Sequence, residues 1–179
     1  MKNTGPRDCA NGIIADLRKF LQETGIAKRR GVNMKYNDEM IKKGVLLLSY
    51  DVEPVHKKLD VRVVNGFAMK YTTTKVKKFY KDIQELTQPQ LPENFKLFDC
   101  DLRASVVFTR PRLKSDPLRY YAHTVPDLDN YLKALWDALK GVVFTDDCRI
   151  VDVHASKVHG TPGIHLGIGE LREGDTWHL

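Results

Sequence analysis

The sequence has no long hydrophobic run and no paired-cysteine motif. None of its apolar segments approaches the roughly 18 residues that a membrane-spanning helix needs. Cys9, Cys100 and Cys148 show no Cys-x-x-Cys spacing, so they indicate neither a zinc site nor a redox pair. The histidines form no recognisable set of metal ligands either. We therefore expect a protein with reduced cysteines and no membrane partner.

The start of the chain lacks the features of a secretory signal. Residues 1–30 contain Asp8, Asp16 and Glu23 and no continuous apolar segment, which predicts a cytoplasmic location. The length of 179 residues suits one compact domain with an appended segment. We expect residues 1–40 to form an N-terminal helical extension and linker, and residues 41–179 to form the main domain.

The chain has an excess of basic residues. Its net charge is +6, which favours a polyanionic partner such as a nucleic acid. The alternative is that the basic side chains are simply solvated faces of helices and loops. The candidate phosphate contacts are Lys57, Lys58, Lys75, Arg110, Arg112, Lys114 and Lys157.

Hydrophobic periodicity predicts helices interspersed with strands. Apolar runs predict strands over residues 45–52, 102–110, 149–156 and 164–171, and Asn65-Gly66 predicts a tight turn. A helix capped by Thr73 or Thr74 should end before Pro89, and another should cover residues 127–140. The pattern predicts an α+β fold with two layers, in which a small mixed sheet packs against helices.

Four aspartates surround the second helix. Asp127 and Asp129 stand at its start, and the Asp146-Asp147 pair follows its end. Capping, the helix dipole and an ion pair between Asp129 and Lys133 would explain the first two. A simple turn needs only one Asp or Asn, so turn formation alone does not explain the Asp146-Asp147 pair. If it returned close to Asp127 and Asp129, within about 8 Å, the carboxylates would form a metal site.

A cluster of carboxylates without histidine or cysteine is typical of Mg²⁺, with Mn²⁺ as the alternative. Such a site is suited to phosphodiester hydrolysis, in which Lys133 could neutralise the phosphate or help the leaving group. Two other carboxylate motifs fail on spacing. An EF-hand loop would need glycine where Leu132 stands, and a Pro-Asp nuclease motif would need an acid where Ala155 precedes Lys157.

Residues 123–160, "HTVPDLDNYLKALWDALKGVVFTDDCRIVDVHASKVHG", resemble the RusA family of Holliday junction resolvases. The shared elements are an Asp-Leu-Asp-Asn helix start, a lysine four residues after its second aspartate, a following "DAL", and an Asp-Asp pair ahead of a strand. A weaker resemblance extends over roughly 125 residues from about Leu46. Residues 1–40 have no counterpart in short members of the family.

The resemblance implies a set of functional residues. Asp127, Asp129 and Asp147 would bind the metal and act in catalysis, Lys133 would be the catalytic lysine, and Asp146 would be an additional metal ligand. It also implies a homodimer, often encoded by phages or prophages, that nicks two strands of a four-way DNA junction symmetrically with Mg²⁺. Two symmetric cuts need two active sites, which an isologous dimer supplies.

The leading interpretation is therefore a Mg²⁺-dependent endonuclease that resolves four-way junctions in recombination and repair. One alternative is a noncatalytic nucleic-acid-binding module in which the acidic residues only cap the helix. Another is a nuclease that acts mainly on other branched DNA, because selectivity depends on dimer geometry and loop shape.

Overall fold

The computed structural model describes residues 44–57, 59–64, 67–116 and 118–171. The predicted N-terminal extension, residues 1–40, lies outside this part of the chain, as do Cys9 and Lys58. Among the described residues, no helix is both long and apolar enough to cross a membrane.

Four of the six described strands form one mixed sheet. The strands are Val45–Tyr50 (β1), Leu59–Val64 (β2), Phe67–Thr72 (β3), Leu102–Arg110 (β4), Ile150–His159 (β5) and Gly163–Glu170 (β6). The sheet has the order β1-β6-β4-β5. β6 pairs antiparallel with both β1 and β4, whereas β4 and β5 are parallel. β5 is consequently an edge strand.

A separate hairpin precedes the first helix. β2 and β3 pair antiparallel, and Val64 faces Phe67 at the end of the ladder. The pairing confirms a hairpin at the predicted position, although the turn residues themselves lie outside the described part of the chain.

The first described helix, Thr74–Thr87 (α1), begins and ends where its sequence predicts. The Thr73 hydroxyl accepts a hydrogen bond from the backbone N–H of Val76, as an N-terminal cap should. The helix buries Val76, Phe79 and Ile83, which recur at helical spacing. Leu86, three residues beyond Ile83, is 40% exposed.

The second described helix, Leu128–Leu139 (α2), has Asp127 at its N-terminal cap position. Its C-terminal end is set by Gly141, whose φ of 75° lies in the left-handed region that glycine adopts readily. The buried residues of the helix include Tyr131, Leu135, Trp136 and Leu139.

The two helices pack on one face of the sheet, in a two-layer arrangement. Alternate residues of β1, β4 and β6, such as Leu48, Val106 and Leu166, point into this layer and form a single core with Phe79 and Leu135. The side chain of Gln84 on α1 donates to the carbonyl oxygen of Ala138 on α2, at 3.1 Å. The predicted α+β fold with a small mixed sheet is confirmed.

Candidate active site

The N-terminal end of α2 presents two exposed carboxylates. Asp127 has extended backbone geometry, with φ −69° and ψ 155°, but its side chain makes no capping hydrogen bond. Asp129 lies in the first turn, where its Oδ1 accepts a long 3.4 Å hydrogen bond from Asn130. Lys133 is exposed one turn further on, and in the described part of the chain no ion pair joins it to Asp129. Asp127 therefore occupies the N-cap position of α2 but does not form the capping hydrogen bond that the sequence predicts.

Two cations from the sheet hold the backbone just before this helix. Lys157 on β5 donates to the carbonyl oxygens of Thr124, at 2.7 Å, and Pro126, at 2.6 Å. Arg110, the last residue of β4, donates to the Thr124 hydroxyl at 3.1 Å and to the Val125 carbonyl at 3.0 Å. These four hydrogen bonds fix the segment that leads into Asp127.

The environment of the Lys157 ammonium is only partly aqueous. Its Nζ lies 5.9 Å from the centroid of the Tyr131 ring. Burial lowers the pKa of Lys157, the charge of Arg110 lowers it further, and the carboxylate of Asp127 opposes both effects. Lys157 is therefore close enough to interact electrostatically with Asp127. We call the N-terminal end of α2, with Asp127 and Asp129, the helix mouth.

The second acidic pair lies beyond the C-terminal end of α2. The Asp146 carboxylate accepts hydrogen bonds from the Lys140 ammonium, at 2.5 Å, and from the Cys148 N–H, at 3.1 Å. Lys140 also lies 3.3 Å from Oδ1 of Asp147. The hydrogen bond from Lys140, followed by that from Cys148, holds the pKa of Asp146 well below its usual range. This pair therefore has a cationic partner within its own chain.

The two pairs do not meet within one chain. α2 has 12 residues, hence a length of about 18 Å, and the pairs lie at its opposite ends. No group of three or more Asp, Glu, His or Cys residues in the described ranges is placed to hold a metal ion. The expectation that Asp146 and Asp147 return close to Asp127 and Asp129 is thus corrected for a single chain.

The reason for the separation is the direction of β5. Residues 140–149 connect α2 to β5, and the contacts of Lys140 with Asp146 and Asp147 keep this connection at the C-terminal end of the helix. β5 therefore begins beside that end. Its far end, at Lys157, contacts the segment before the helix. Strand and helix therefore run antiparallel, which leaves the Asp-Asp pair where the helix ends.

Lys57, one of the predicted DNA contacts, is engaged with α2. Its ammonium forms an ion pair with Asp137, which also accepts a 2.8 Å hydrogen bond from the hydroxyl of Tyr80 on α1. The backbone N–H of Lys57 donates to the carbonyl oxygen of Asn130, at 2.9 Å. Burial, and secondly the hydrogen bond to Asp137, raise the pKa of Tyr80. Lys57 thus links the loop after β1 to both helices.

The remaining predicted phosphate contacts lie on exposed surface. Lys75 is in the first turn of α1, and Arg112 and Lys114 are in the loop after β4. The same loop carries Tyr120 and Tyr121, which are 61% and 68% exposed and form an edge-to-face pair. This loop therefore offers both cations and aromatic rings to solvent.

Sequence reasoning missed the roles of Lys140 and Asp137. Lys140 is the C-cap residue of α2 and immediately precedes Gly141. A lysine at the end of a helix that is followed by two aspartates is a signal that could have suggested the pairing. The contact between Asp137 and Lys57 spans 80 residues along the chain, so no local pattern reports it.

The comparisons with known proteins agree with this arrangement. The profile of the family described as "Endodeoxyribonuclease RusA" matches residues 51–169, which include both acidic pairs, Lys133 and Lys157. A shorter match joins the chain to the "Uncharacterized protein YqaN" of Bacillus subtilis (strain 168), with 39% identity over 49 residues. That match covers 27% of this chain and 34% of the relative, so the chain spans about a third of the relative's length. The match to the family profile extends over most of the chain, and the protein belongs to the RusA endodeoxyribonuclease family.

Proposed function

We propose that this protein is a divalent-metal-dependent endonuclease that nicks branched DNA, with four-way junctions as its substrate, and that it acts as a homodimer in the cytoplasm of a bacterial host cell. The observation that carries the proposal is the N-terminal end of α2. There, two exposed carboxylates follow a backbone segment that Lys157 and Arg110 hold in place.

The donor chemistry of this end fits a hard metal ion. Asp127 and Asp129 supply carboxylate oxygens, and the Asp127 side chain makes no capping bond that would compete with a metal. Mg²⁺ typically binds one or two carboxylates together with water and substrate phosphate, and Mn²⁺ accepts similar ligands. When bound, such an ion supplies a Lewis acid that activates water and stabilises charge on the phosphate.

A complete acidic site requires a second copy of the chain. Asp146 and Asp147 lie at the wrong end of α2 to join Asp127 and Asp129 of the same molecule. A two-fold dimer can place the Asp-Asp pair of one copy at the helix mouth of the other, and symmetry then creates two such sites. Two sites would account for paired nicks on opposite strands of a junction.

Lys133 completes the set of proposed catalytic residues. It is exposed, one turn along α2 from Asp129, and its side chain can reach toward a phosphate bound at the helix mouth. In the hydrolysis, the oxygen of water loses a proton and forms a bond to phosphorus, the bridging phosphorus–oxygen bond breaks, and the leaving oxygen takes up a proton. Lys133 would stabilise the charge that develops on the leaving oxygen.

The decisive experiment measures nicking of a labelled four-way junction by the wild-type protein with Mg²⁺, and with EDTA in place of the metal. Asp129→Asn and Asp147→Asn should each lower the nicking rate at least about 100-fold while the junction still binds. Asp82→Asn, which changes a carboxylate on α1 that pairs with Lys78, is the control and should nick normally.

Other outcomes would point to the other interpretations. Binding without nicking by the wild-type protein in Mg²⁺ would contradict the enzyme proposal and favour a binding module. Faster nicking of flaps or three-way junctions than of four-way junctions would change the substrate but leave the chemistry in place.

A further inference from the structure

The main sheet has a second face, opposite the two helices, and part of this face is buried. The residues of this face alternate with the core residues along each strand. The strand pairing places Leu47 of β1 beside Gly167 of β6, and Gly167 beside Ser105 of β4. Leu47 is fully buried, Ser105 is 4% exposed, and Gly167 is also buried. A row of residues across three strands is thus shielded from solvent.

The two neighbouring rows on this face are shielded as well. One of them contains Gly169 and Arg103, which are both buried. The other contains Ser49 and His165, and the Ser49 hydroxyl forms a 2.8 Å hydrogen bond with Nδ1 of His165. Burial lowers the pKa of His165, and the carboxylate of Asp51 opposes this effect. The shielded area therefore extends over three rows, from β1 across β6 to β4.

The two described helices do not supply this shielding. They pack on the first face, where Leu46 and Leu48 join the core, whereas Leu47 is not a member of the core that the described residues form. The β2–β3 hairpin exposes Phe67 and Tyr71, by 76% and 37%, so that side of the hairpin is not the cover either. A leucine on an edge strand next to a glycine has too few neighbours in its own sheet to become fully buried. A further layer must therefore cover the second face.

The segment of residues 11–25 has a sequence suited to form this layer. It lies outside the described part of the chain. Its large apolar side chains recur at helical spacing, and they are Ile13, Ile14, Leu17, Phe20 and Leu21. A helix over these residues would be about 22 Å long, whereas β1, β6 and β4 together extend over roughly 10 Å from the first strand to the third. The apolar stripe of such a helix is thus long enough to cover the shielded rows.

The connection to β1 allows the segment to reach this face. The described chain begins at Gly44, whose carbonyl oxygen accepts a 3.1 Å hydrogen bond from the N–H of Glu170. Residues 26–43 link the segment to this point, and a connection of that length can span up to about 60 Å. Gly167 and Gly169 have no side chains, so a helix can lie close to β6, between the side chains of β1 and β4.

We infer that residues 11–25 form an amphipathic helix that packs on the second face of the sheet in the same chain, with its apolar stripe against Leu47 and the glycines of β6. The packing adds a third layer to the domain and removes both apolar surfaces from water. The chain's own segment is favoured over that of a second copy, because the connection keeps it at a high effective concentration near this face. The inference is independent of the proposed nuclease activity.

The first test maps the contact by photo-crosslinking in the full-length protein. The photoreactive residue p-benzoylphenylalanine replaces Phe20 on the apolar stripe or, as the control, Lys19 on the opposite side of the helix. Irradiation of the Phe20 variant should give a crosslink within one chain, and mass spectrometry should locate it in residues 45–49, 103–107 or 165–169. The Lys19 variant should give no crosslink to these residues. A Phe20 variant that crosslinks elsewhere, only between copies or not at all would overturn the inference.

The second test measures the rate of tryptic cleavage after Lys19, inside the segment. Leu17→Asp places a charge on the apolar stripe and should speed this cleavage at least about 10-fold, because a segment released from the sheet is open to the protease. Gln22→Asp adds the same charge on the polar side of the helix and should be cleaved at the wild-type rate.

Cleavage after Arg103, in the central strand β4, reports whether the domain stays folded in each variant. It should remain slow in all three proteins. Equal rates of cleavage after Lys19 in the wild-type protein, Leu17→Asp and Gln22→Asp would contradict the docking. If Leu17→Asp is also cleaved rapidly after Arg103, the whole domain has opened, and the crosslink from position 20 then decides the question.

Discussion

The two ends of α2 each carry a pair of aspartates, but their surroundings differ. At the C-terminal end, Lys140 donates to the Asp146 carboxylate and lies close to Asp147. At the N-terminal end, the cations Lys157 and Arg110 bind the preceding backbone instead of the carboxylates. The positive charge near the N-terminal pair thus positions the aspartates without neutralising them by direct contact.

The difference suggests distinct tasks for the two ends. Carboxylates that are held in place but carry few hydrogen bonds are suited to receive a metal ion, whereas a carboxylate with a lysine partner must exchange that partner first. The N-terminal end would therefore form the base of each proposed site, and the C-terminal pair would be delivered to it by a second copy.

The largest expected effect is the recovery of nicking when two inactive variants are mixed. This experiment tests whether the N-terminal end of α2 in one copy and the Asp146-Asp147 pair of another copy form one site. Asp129→Asn and Asp147→Asn should each be inactive alone. In a mixed dimer, one site receives both substitutions and the other receives neither. With random exchange, half of the dimers are mixed, so the junction-nicking rate should return to about one quarter of wild type. No recovery, despite exchange shown by differently tagged copies, would contradict a shared site.

A smaller effect is expected from loosening the N-terminal end. Lys157→Met removes two hydrogen bonds to the backbone before Asp127, so we expect kcat for nicking to fall about 10- to 100-fold with little change in junction affinity. Lys157→Arg should restore part of the rate.

The control for Lys157 is Lys75→Met on exposed surface. If Lys75 contacts a phosphate, this change should weaken binding and reduce the salt dependence by about one counterion, without lowering kcat. A Lys157→Met protein that behaves in the same way would identify Lys157 as a phosphate contact and not as a positioning residue.

The middle of α2 connects the two ends, and the Lys57–Asp137 contact should stabilise it. Lys57→Met leaves the partly buried Asp137 carboxylate with the Tyr80 hydroxyl but without its cation. We expect the free energy of unfolding, measured by urea denaturation, to fall by about 1–2 kcal/mol. Lys81→Met, on the exposed face of α1, should change it little.

The smallest effect should come from the C-terminal end. Lys140 lowers the pKa of Asp146 in the folded protein, so this interaction stabilises the fold above the carboxyl's unfolded pKa, near 3.9, and is lost as the pH falls through the lower folded value. Lys140→Met should therefore lower Tm by about 1 °C at pH 6, with the difference becoming smaller as the pH falls below about 4. A difference that grows on acidification would contradict this assignment.

Much of the fold follows from local sequence patterns. The apolar residues of α1 recur at helical spacing after Thr73, and Gly141 supplies the left-handed residue that ends α2. The run from Leu102 to Arg110 is a central strand, as its apolar residues predict. These features depend on residues within a few turns of one another, which is why the sequence alone predicts them.

The candidate site was only partly predictable. The sequence identified both aspartate pairs and Lys133, because their types and spacing resemble those of a known family. It did not show that Lys157 and Arg110 would bond to the backbone before Asp127, or that Lys57 would pair with Asp137. Those contacts join residues far apart in the chain, so they depend on how the strands and helices pack.

By itself, the sequence determined the helix of residues 127–140, the carboxylates at each of its ends and the basic character of the protein. Only the tertiary structure decided which of these charges meet. Because β5 returns antiparallel to α2, Asp147 stays beside Lys140 while Lys157 reaches the helix mouth. Local periodicity fixes which residues share a helix face, but strand direction and long-range packing decide which ends of the elements come together.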